Sequence, residues 1–381
     1  MASGIIAEYN PFHKGHKYHI DETIKKTGDD IIAIISGNFV QRGEPAMLDK
    51  HARAKMALLN GVSLVLELPV EYATASADVF AMGAVNILNS CGVINCLSFG
   101  SEAGETETFE NLAHILNNEP LEFKELLKTE LNKGLSYPSA RNASLEKYTN
   151  KSLDFLNKPN NILGLEYMRQ LKKINSSIKP ITVERIVSDY NSSELSGEIS
   201  SASAIRNALA DKDYSALNSV PENCIEMLKD KYIPSINDYS DILAYILRTK
   251  PAKEISNIAD ITEGLENKIT DTDFDTVTDL IGKIKSKRYT YSKLQRALLH
   301  IILDITKEEQ QKNPGYIRVL GFRKDKKELL SEIAKKANLP VIINVKENEE
   351  LLKKEIMATD IYNIAMGRKK GMEYVTPVVV V

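Results

Sequence analysis

The sequence predicts an α/β protein in which a doubly wound parallel sheet is followed by a mainly α-helical second half. Three observations predict it. Short β-branched runs alternate with amphipathic stretches through the first hundred residues, and the helical period takes over beyond Ser219, Val220 and Pro221. The 381 residues, 43% hydrophobic and 27% charged, suit a globular chain of two domains or of one large one.

The runs Gly4–Ala7, Ile31–Ile35, Val62–Leu66 and Ile94–Phe99 read as strands. Unbroken apolar segments of this length suit a sheet covered on both faces. Helices are expected between them at 15–26, 49–60 and 75–89, so the connections are right-handed β-α-β crossovers. Ligands of such sheets bind beyond the carboxyl ends of the strands. From Glu105 to Lys173 the pattern is helical, interrupted at Tyr137 and Pro138 and at Lys158–Asn161. Asn160 and Asn161 read as N-caps of a helix over 162–172. A strand follows at Pro180–Val187, then a polar loop over 188–197 and a helix from about Ser203. Later strand signals are confined to Val341–Val345 and Pro377–Val381, the latter a terminal strand or a tucked tail. These readings divide the chain into residues 1–215 and a mainly helical 216–381.

The bulk composition narrows the class. Forty-nine basic and 52 acidic residues give a net charge of −3, so a nucleic-acid partner would need a local patch. Cys91, Cys96 and Cys224 form neither a disulfide framework nor a zinc ribbon. No apolar run approaches the ~20 residues that span a bilayer, and no basic-then-apolar leader opens the chain. A cytoplasmic location, with no membrane partner and no evident protein partner, is the expectation.

The strongest chemical signal follows the first strand, where Asn10 and Pro11 make a turn and His13, Lys14, Gly15 and His16 open a helix. Histidines three apart share one helix face. A helix N-terminus attracts phosphate, and two imidazole donors there stabilise charge building on phosphate oxygens. His13, His16 and His19 also admit a metal site, but no acid or cysteine stands beside them, and zinc helices more often use i,i+4 spacing. Ser36–Ala46 is a Gly- and Pro-containing loop at the ligand edge with Arg42 as its only cation. Lys50 and Arg53 open the next helix against its dipole, which suggests an external anion. Lys283, Lys285, Lys287, Arg288, Lys293 and Arg296, with Tyr289 and Tyr291 among them and no acid, suit an RNA surface of cations and stacking rings. Arg323–Lys327 and Arg368–Lys370 are weaker basic patches.

His-x-Gly-His after a first strand resembles the nucleotidyltransferase superfamily. Residues Glu8–His16 and Ser36–Ala46, with the blocks at 99–102, 159–164 and 287–291, resemble the bacterial tRNA(Met) cytidine acetate ligase family over nearly the whole chain. Lys14 stands where members often carry Asn. The resemblance implies a Rossmann-like nucleotidyltransferase domain, with ATP as substrate and acetate and elongator tRNA(Met) as its other substrates. The product it implies is N4-acetylcytidine at the wobble position, formed through acetyl-adenylate with release of pyrophosphate and AMP. It implies catalytic roles for His13 and His16, and an ATP-binding segment of Ile6, Ala7, Glu8, Tyr9, Asn10, Pro11, Phe12, His13, Lys14, Gly15 and His16. Gly100, Asn160, Asn161 and Arg185 join as further ATP contacts. The stretch from Ser201 to Arg206 resembles a superfamily Ser-Ser-Thr-x-Ile-Arg element, with Ala202 and Ser203 replacing Ser and Thr; Ser203 and Arg206 would hold the leaving pyrophosphate. Lys285, Lys287, Arg288, Tyr289, Tyr291, Lys293 and Arg296 would contact RNA. Mg²⁺ is allowed beside ATP, though no dedicated ligand set is visible. Two other classes fit the residues alone: a small-molecule adenylyltransferase of cofactor synthesis, whose relatives are usually short single domains, and a non-catalytic RNA-binding protein.

Overall fold

A computed structural model describes all residues except 102–105, 185–199, 263 and 287–288. Most of its first strands fall where the apolar runs predict: β1 Ala2–Ala7, β2 Asp30–Ser36, then, after a short hairpin of β3 Phe39–Val40 and β4 Glu44–Pro45 within the segment read as a loop, β5 Leu64–Leu68, β6 Ile94–Ser101 and β7 Lys179–Glu184. The helices between them are α1 Lys14–Thr27, α2 Lys50–Leu59, α3 Val70–Ala73, α4 Ala77–Ser90, α5 Thr106–Asn118, α6 Leu121–Asn132, α7 Tyr137–Thr149 and α8 Pro159–Lys173. α9 Ala202–Ala210 follows β7. α8 begins at Pro159 and is capped from Lys158, so Asn160 and Asn161 lie inside its first turn and are not its N-caps. Proline at the first helical position loses no hydrogen bond, which is why the helix starts there.

β5, β2, β1, β6 and β7 lie side by side in that order and pair in parallel. Their side chains are buried on both faces: Ile32, Ile34, Leu64 and Leu66 enter one apolar cluster, Ile31, Ile35 and Val65 another. The sheet then continues with strands from the far end of the chain. β8 Ile317–Phe322 pairs antiparallel with β5, and β9 Val341–Ile342 and β10 Val379–Val380 pair in parallel with β8. β8 has no counterpart in the sequence reading, and a cut near residue 215 would divide the sheet, separating β8, β9 and β10 from the other strands. The intervening helices are α10 Ile225–Leu228, α11 Ser240–Thr249, α12 Ala252–Ile255, α13 Leu265–Thr270, α14 Val277–Ile284 and α15 Tyr291–Ile302. α16 Lys327–Lys336, α17 Lys353–Ala365 and α18 Met372–Val375 alternate with the last strands. None of the described helices is long and apolar enough to cross a membrane.

The helices from α11 to α15 pack around their own core, which also receives Phe39 of the hairpin, Val70 of α3 and Tyr362 of α17. Phe39 meets Tyr239 and Tyr362 edge-on or tilted, at centroid distances of 5.7 and 6.0 Å. The hairpin after β2 therefore joins the sheet to the helical cluster.

A buried ionic cluster ties the returning strands to the first half. Lys50 Nζ lies 2.7 Å from Glu67 Oε1 and 2.9 Å from Glu373 Oε1, all three side chains almost wholly buried. Arg318 on β8 reaches Glu373 at 3.4 Å. Glu355 accepts from the Val70 N–H at 2.7 Å, and Thr359 donates to Glu373 at 2.8 Å. Burial alone would lower the Lys50 pKa, but Glu373, Glu67 and Glu355 outweigh it and hold the ammonium above its ordinary value. Lys50 thus meets carboxylates of its own chain. Arg53, fully buried, donates to the carbonyls of Leu48 (2.9 Å), Glu8 (2.6 Å) and Gly37. The external anion expected from these two cations is replaced by internal partners.

Glu71 borders this cluster. Its Oε2 is buried without a hydrogen-bond partner among the described residues, and burial and then Glu309 push its carboxyl up to about 7. A carboxyl with a folded-state pKa above its unfolded value favours folding below the unfolded pKa and loses that advantage as pH rises through about 7. Glu71→Gln is expected to remove this slope. Urea unfolding should show the variant more stable than the parent at pH 8, by up to about 3 kcal/mol, and little different at pH 4.

Candidate active site

β1 ends against a turn that contains a cis Asn10–Pro11 bond and Tyr9 at φ +50°. His13 is the N-cap of α1, and the two histidines cap it reciprocally. His13 Nδ1 accepts from the Gly15 N–H at 3.1 Å, and His16 Nδ1 accepts from the His13 N–H at 3.2 Å. The rings stack at 3.7 Å with 26° between their planes, and Tyr9 and Phe12 pack on His16. A neutral imidazole that accepts at Nδ1 carries its proton on Nε2. The capping pattern thus fixes both rings as Nε2–H donors.

These rings border a cleft of about 230 Å³ at the carboxyl ends of β1, β6 and β7. Of the segment expected to bind ATP, Ile6, Ala7, Glu8, Tyr9, Asn10, His13, Gly15 and His16 line it. Pro11, Phe12 and Lys14 do not, and Phe12 is fully buried beneath the turn. Gly100 and Asn160 line it from β6 and α8, Ser203 and Arg206 from α9. Asn161 points elsewhere. Its amide accepts from Ser101 Oγ at 3.0 Å and donates to Phe155 O at 2.9 Å, which locks β6 to the start of α8. Arg185 lies outside the described residues. Three helix N-termini converge on the cleft, through His13 and Gly15 of α1, Pro159 and Asn160 of α8, and Ser201 and Ser203 of α9. Ser201 caps α9 by accepting from the Ala204 N–H at 3.1 Å.

Sequence reasoning gave no site role to Tyr18, Gln41, Tyr167, Glu184 or Ser201, all of which line the cleft. Tyr167 sits mid-helix among core residues, so no local pattern singles it out. His19 also lines the cleft, with Nε2 2.9 Å from Ser98 Oγ. Among the described residues no group of His, Cys, Asp and Glu is placed to hold a metal ion.

The hairpin loop connects the cleft to the basic stretch. Arg206 donates to Asn10 O at 2.7 Å and pairs with Glu44 at 2.8 Å. Next to Glu44, Gly43 lies at φ +80°, and Gln295 of α15 donates to its carbonyl at 3.3 Å. A Cβ at Gly43 would sit 2.7 Å from the Arg296 backbone nitrogen. Gly43→Ala therefore meets both left-handed strain and a backbone clash. Its expected cost is about 2 kcal/mol of folding stability, measured by urea unfolding.

The basic stretch divides by burial. Tyr289 belongs to the helical core, and its hydroxyl donates to Thr262 O at 3.2 Å. Arg296 pairs with Asp260 at 2.9 Å. Neither is presented as the sequence suggested. Lys285 and Tyr291 are exposed and Lys293 is half-buried, its ammonium donating to Thr262 Oγ1 at 3.2 Å; Tyr291 is close enough to Glu44 for that carboxylate, after burial, to raise its phenol pKa. Lys287 and Arg288 lie outside the described residues.

A family model described as HIGH nucleotidyl transferase matches residues 1–374. The tRNA(Met) cytidine acetate ligase of Caldanaerobacter subterraneus subsp. tengcongensis is 45% identical over 383 residues, 96% of this chain and 95% of that protein. The chain belongs to the tRNA(Met) cytidine acetate ligase family. The ligase of the same name from Thermoanaerobacter sp. is 42% identical, covering 99% of this chain and 98% of its own. The crystal structure of Thermotoga maritima TmcAL bound with alpha-thio ATP superposes with a TM-score of 0.91 at 34% identity, over 100% of this chain and 99% of that one.

Proposed function

We propose that the protein is an ATP-dependent acetate ligase that forms N4-acetylcytidine at the wobble position of elongator tRNA(Met). The observation that carries this reading is the convergence of three helix N-termini and two Nε2–H imidazoles on one cleft. Each N-terminus presents a positive dipole end, so together they suit a polyphosphate. Relatives 42–45% identical over nearly the whole chain carry the ligase name, and a structural neighbour binds an ATP analogue.

In this reading acetate attacks the α-phosphate, and His13 and His16 stabilise the charge that develops on its oxygens. Gly100 and Asn160 border the nucleotide, while Ser203 and Arg206 at α9 receive the departing pyrophosphate. Arg206 must leave Glu44 to do so, which makes its ion pair a resting arrangement. Mg²⁺ arriving with ATP would coordinate substrate phosphates, the usual mode for this ion. The cytosine amine is a poor nucleophile because its lone pair is delocalised, and acetyl-adenylate supplies the activated acyl group it needs. A wobble base can be splayed from its loop into a pocket. Lys285 and Tyr291 offer an exposed basic and aromatic surface with the half-buried Lys293 beside them, joined to the cleft through Glu44 and Gly43.

Incubating the protein with ATP, isotopically labelled acetate and tRNA(Met), followed by mass spectrometry of the digested RNA, tests the reading. Labelled N4-acetylcytidine at the wobble position is expected. Unmodified RNA under conditions of full ATP turnover would sink it.

A further inference from the structure

Two carboxylates line the cleft among the described residues, Glu8 and Glu184. Glu184 ends β7 and is open to solvent. Glu8 is the first residue after the central strand β1 and is only partly exposed. One carboxyl oxygen accepts from the Gln41 N–H at 3.0 Å. Burial lifts its pKa above the usual carboxylate range, opposed by the Gln41 N–H and by Arg206. The charged and titratable groups around it are Arg42 of the hairpin loop, Glu44 of β4, Arg206 of α9, Tyr167 of α8 and Arg53 of α2, with His13 and His16 across the cleft.

A carboxylate beside a triphosphate opposes nucleotide binding, so membership of an ATP-binding segment gives Glu8 no chemical task. The second half of the proposed reaction supplies one. Acetate enters the first half already deprotonated, so no base is needed there. In the second, the cytidine N4 attacks the acetyl carbonyl carbon. A C–N bond forms, the C–O bond to the phosphate breaks, and its electron pair departs with AMP. The nitrogen becomes cationic and must shed one proton. His13 and His16 are poorly placed to take it, because their Nδ1 atoms accept backbone N–H groups and their Nε2 atoms already hold protons.

We propose that Glu8 is the general base of the transfer step, taking the proton from the cytidine amine as the acetyl group moves to it. The assignment rests on the acetate-ligase reading, and the two half-reactions test them separately. Glu8→Gln keeps an oxygen for the Gln41 N–H but removes the base. In this variant acetate-dependent ATP–pyrophosphate exchange, whose cleft Glu8 also lines, is expected to fall at least tenfold less than the transfer step. Single-turnover acetyl transfer from preformed acetyl-adenylate to tRNA(Met) should fall about 10²- to 10⁴-fold. Glu8→Asp should recover part of the transfer. The parent's transfer rate should rise with pH through the Glu8 titration and then level off, and the Gln variant should lose that rise. Transfer at the parent rate by Glu8→Gln overturns the proposal, as does an equal loss of exchange and transfer. Absence of acetate-dependent exchange in the parent protein overturns the acetate-ligase reading itself.

Discussion

Replacing His16 with alanine is expected to slow acetate-dependent ATP–pyrophosphate exchange by about two to three orders of magnitude, the usual cost of removing one preorganised donor from a transition-state oxyanion. The geometry explains why the effect should fall on rate. His16 presents Nε2–H to the cleft because its Nδ1 is engaged by the His13 N–H at 3.2 Å. The donor therefore needs no reorientation when charge develops on the phosphate. His13→Ala should show a similar kinetic loss together with about 1 kcal/mol of lost stability, since it also removes the N-cap of α1. The rings stack at 3.7 Å, so the double variant should lose less than the product of the two single losses. Exchange kinetics beside urea unfolding separate the two contributions. A His16→Ala enzyme with parental exchange would remove the phosphate role assigned to that side chain.

Lys50→Met is expected to lower folding stability by about 3–5 kcal/mol, because it leaves the buried carboxylates Glu67 and Glu373 without their shared cation. Few single substitutions cost this much. The loss should reach the cleft as well. Lys50 N–H donates to Asn38 at 2.8 Å, and Asn38 donates to Thr359, so the hairpin loop is anchored on the same cluster. Adding Glu67→Gln to Lys50→Met should restore part of the stability by removing one uncompensated charge. Guanidinium unfolding of the three variants measures the coupling directly. Additive losses would show that Lys50 and Glu67 do not interact in the folded protein.

The two features differ in how they are written in the chain. The histidine turn was legible because its parts are contiguous: a β-branched strand, an Asn-Pro turn and a His-x-Gly-His helix start occupy residues 4–16. The parallel strands were legible for the same reason, each being a short apolar run between helical periods. β8 was not, because Arg318 and Gly321 interrupt its apolar run. That arginine is accommodated in the sheet by the Ile343 carbonyl and by Glu373, 55 positions further on. The ionic cluster gathers residues 50, 67, 318, 355 and 373, a set no local pattern connects. The basic stretch shows what a local pattern leaves out. Tyr289, in the turn before α15, enters the helical core, and Arg296 of α15 meets Asp260, 36 positions earlier in the chain.

The antiparallel pairing of β8 with β5 has a consequence for the order in which the molecule can assemble. While the chain is being synthesised, β5 emerges more than 240 residues before its neighbour on that side of the sheet. Until β8 arrives, β5 presents a bare edge, with the Glu67 carboxylate facing Lys50 but Glu373 still to come. A nascent chain halted after α15 would carry the histidine turn and most of the cleft on a sheet with one side unfinished. The sheet that carries the cleft is therefore completed, and its buried charge balanced, by β8, β10 and Glu373, which follow the helical cluster in the chain.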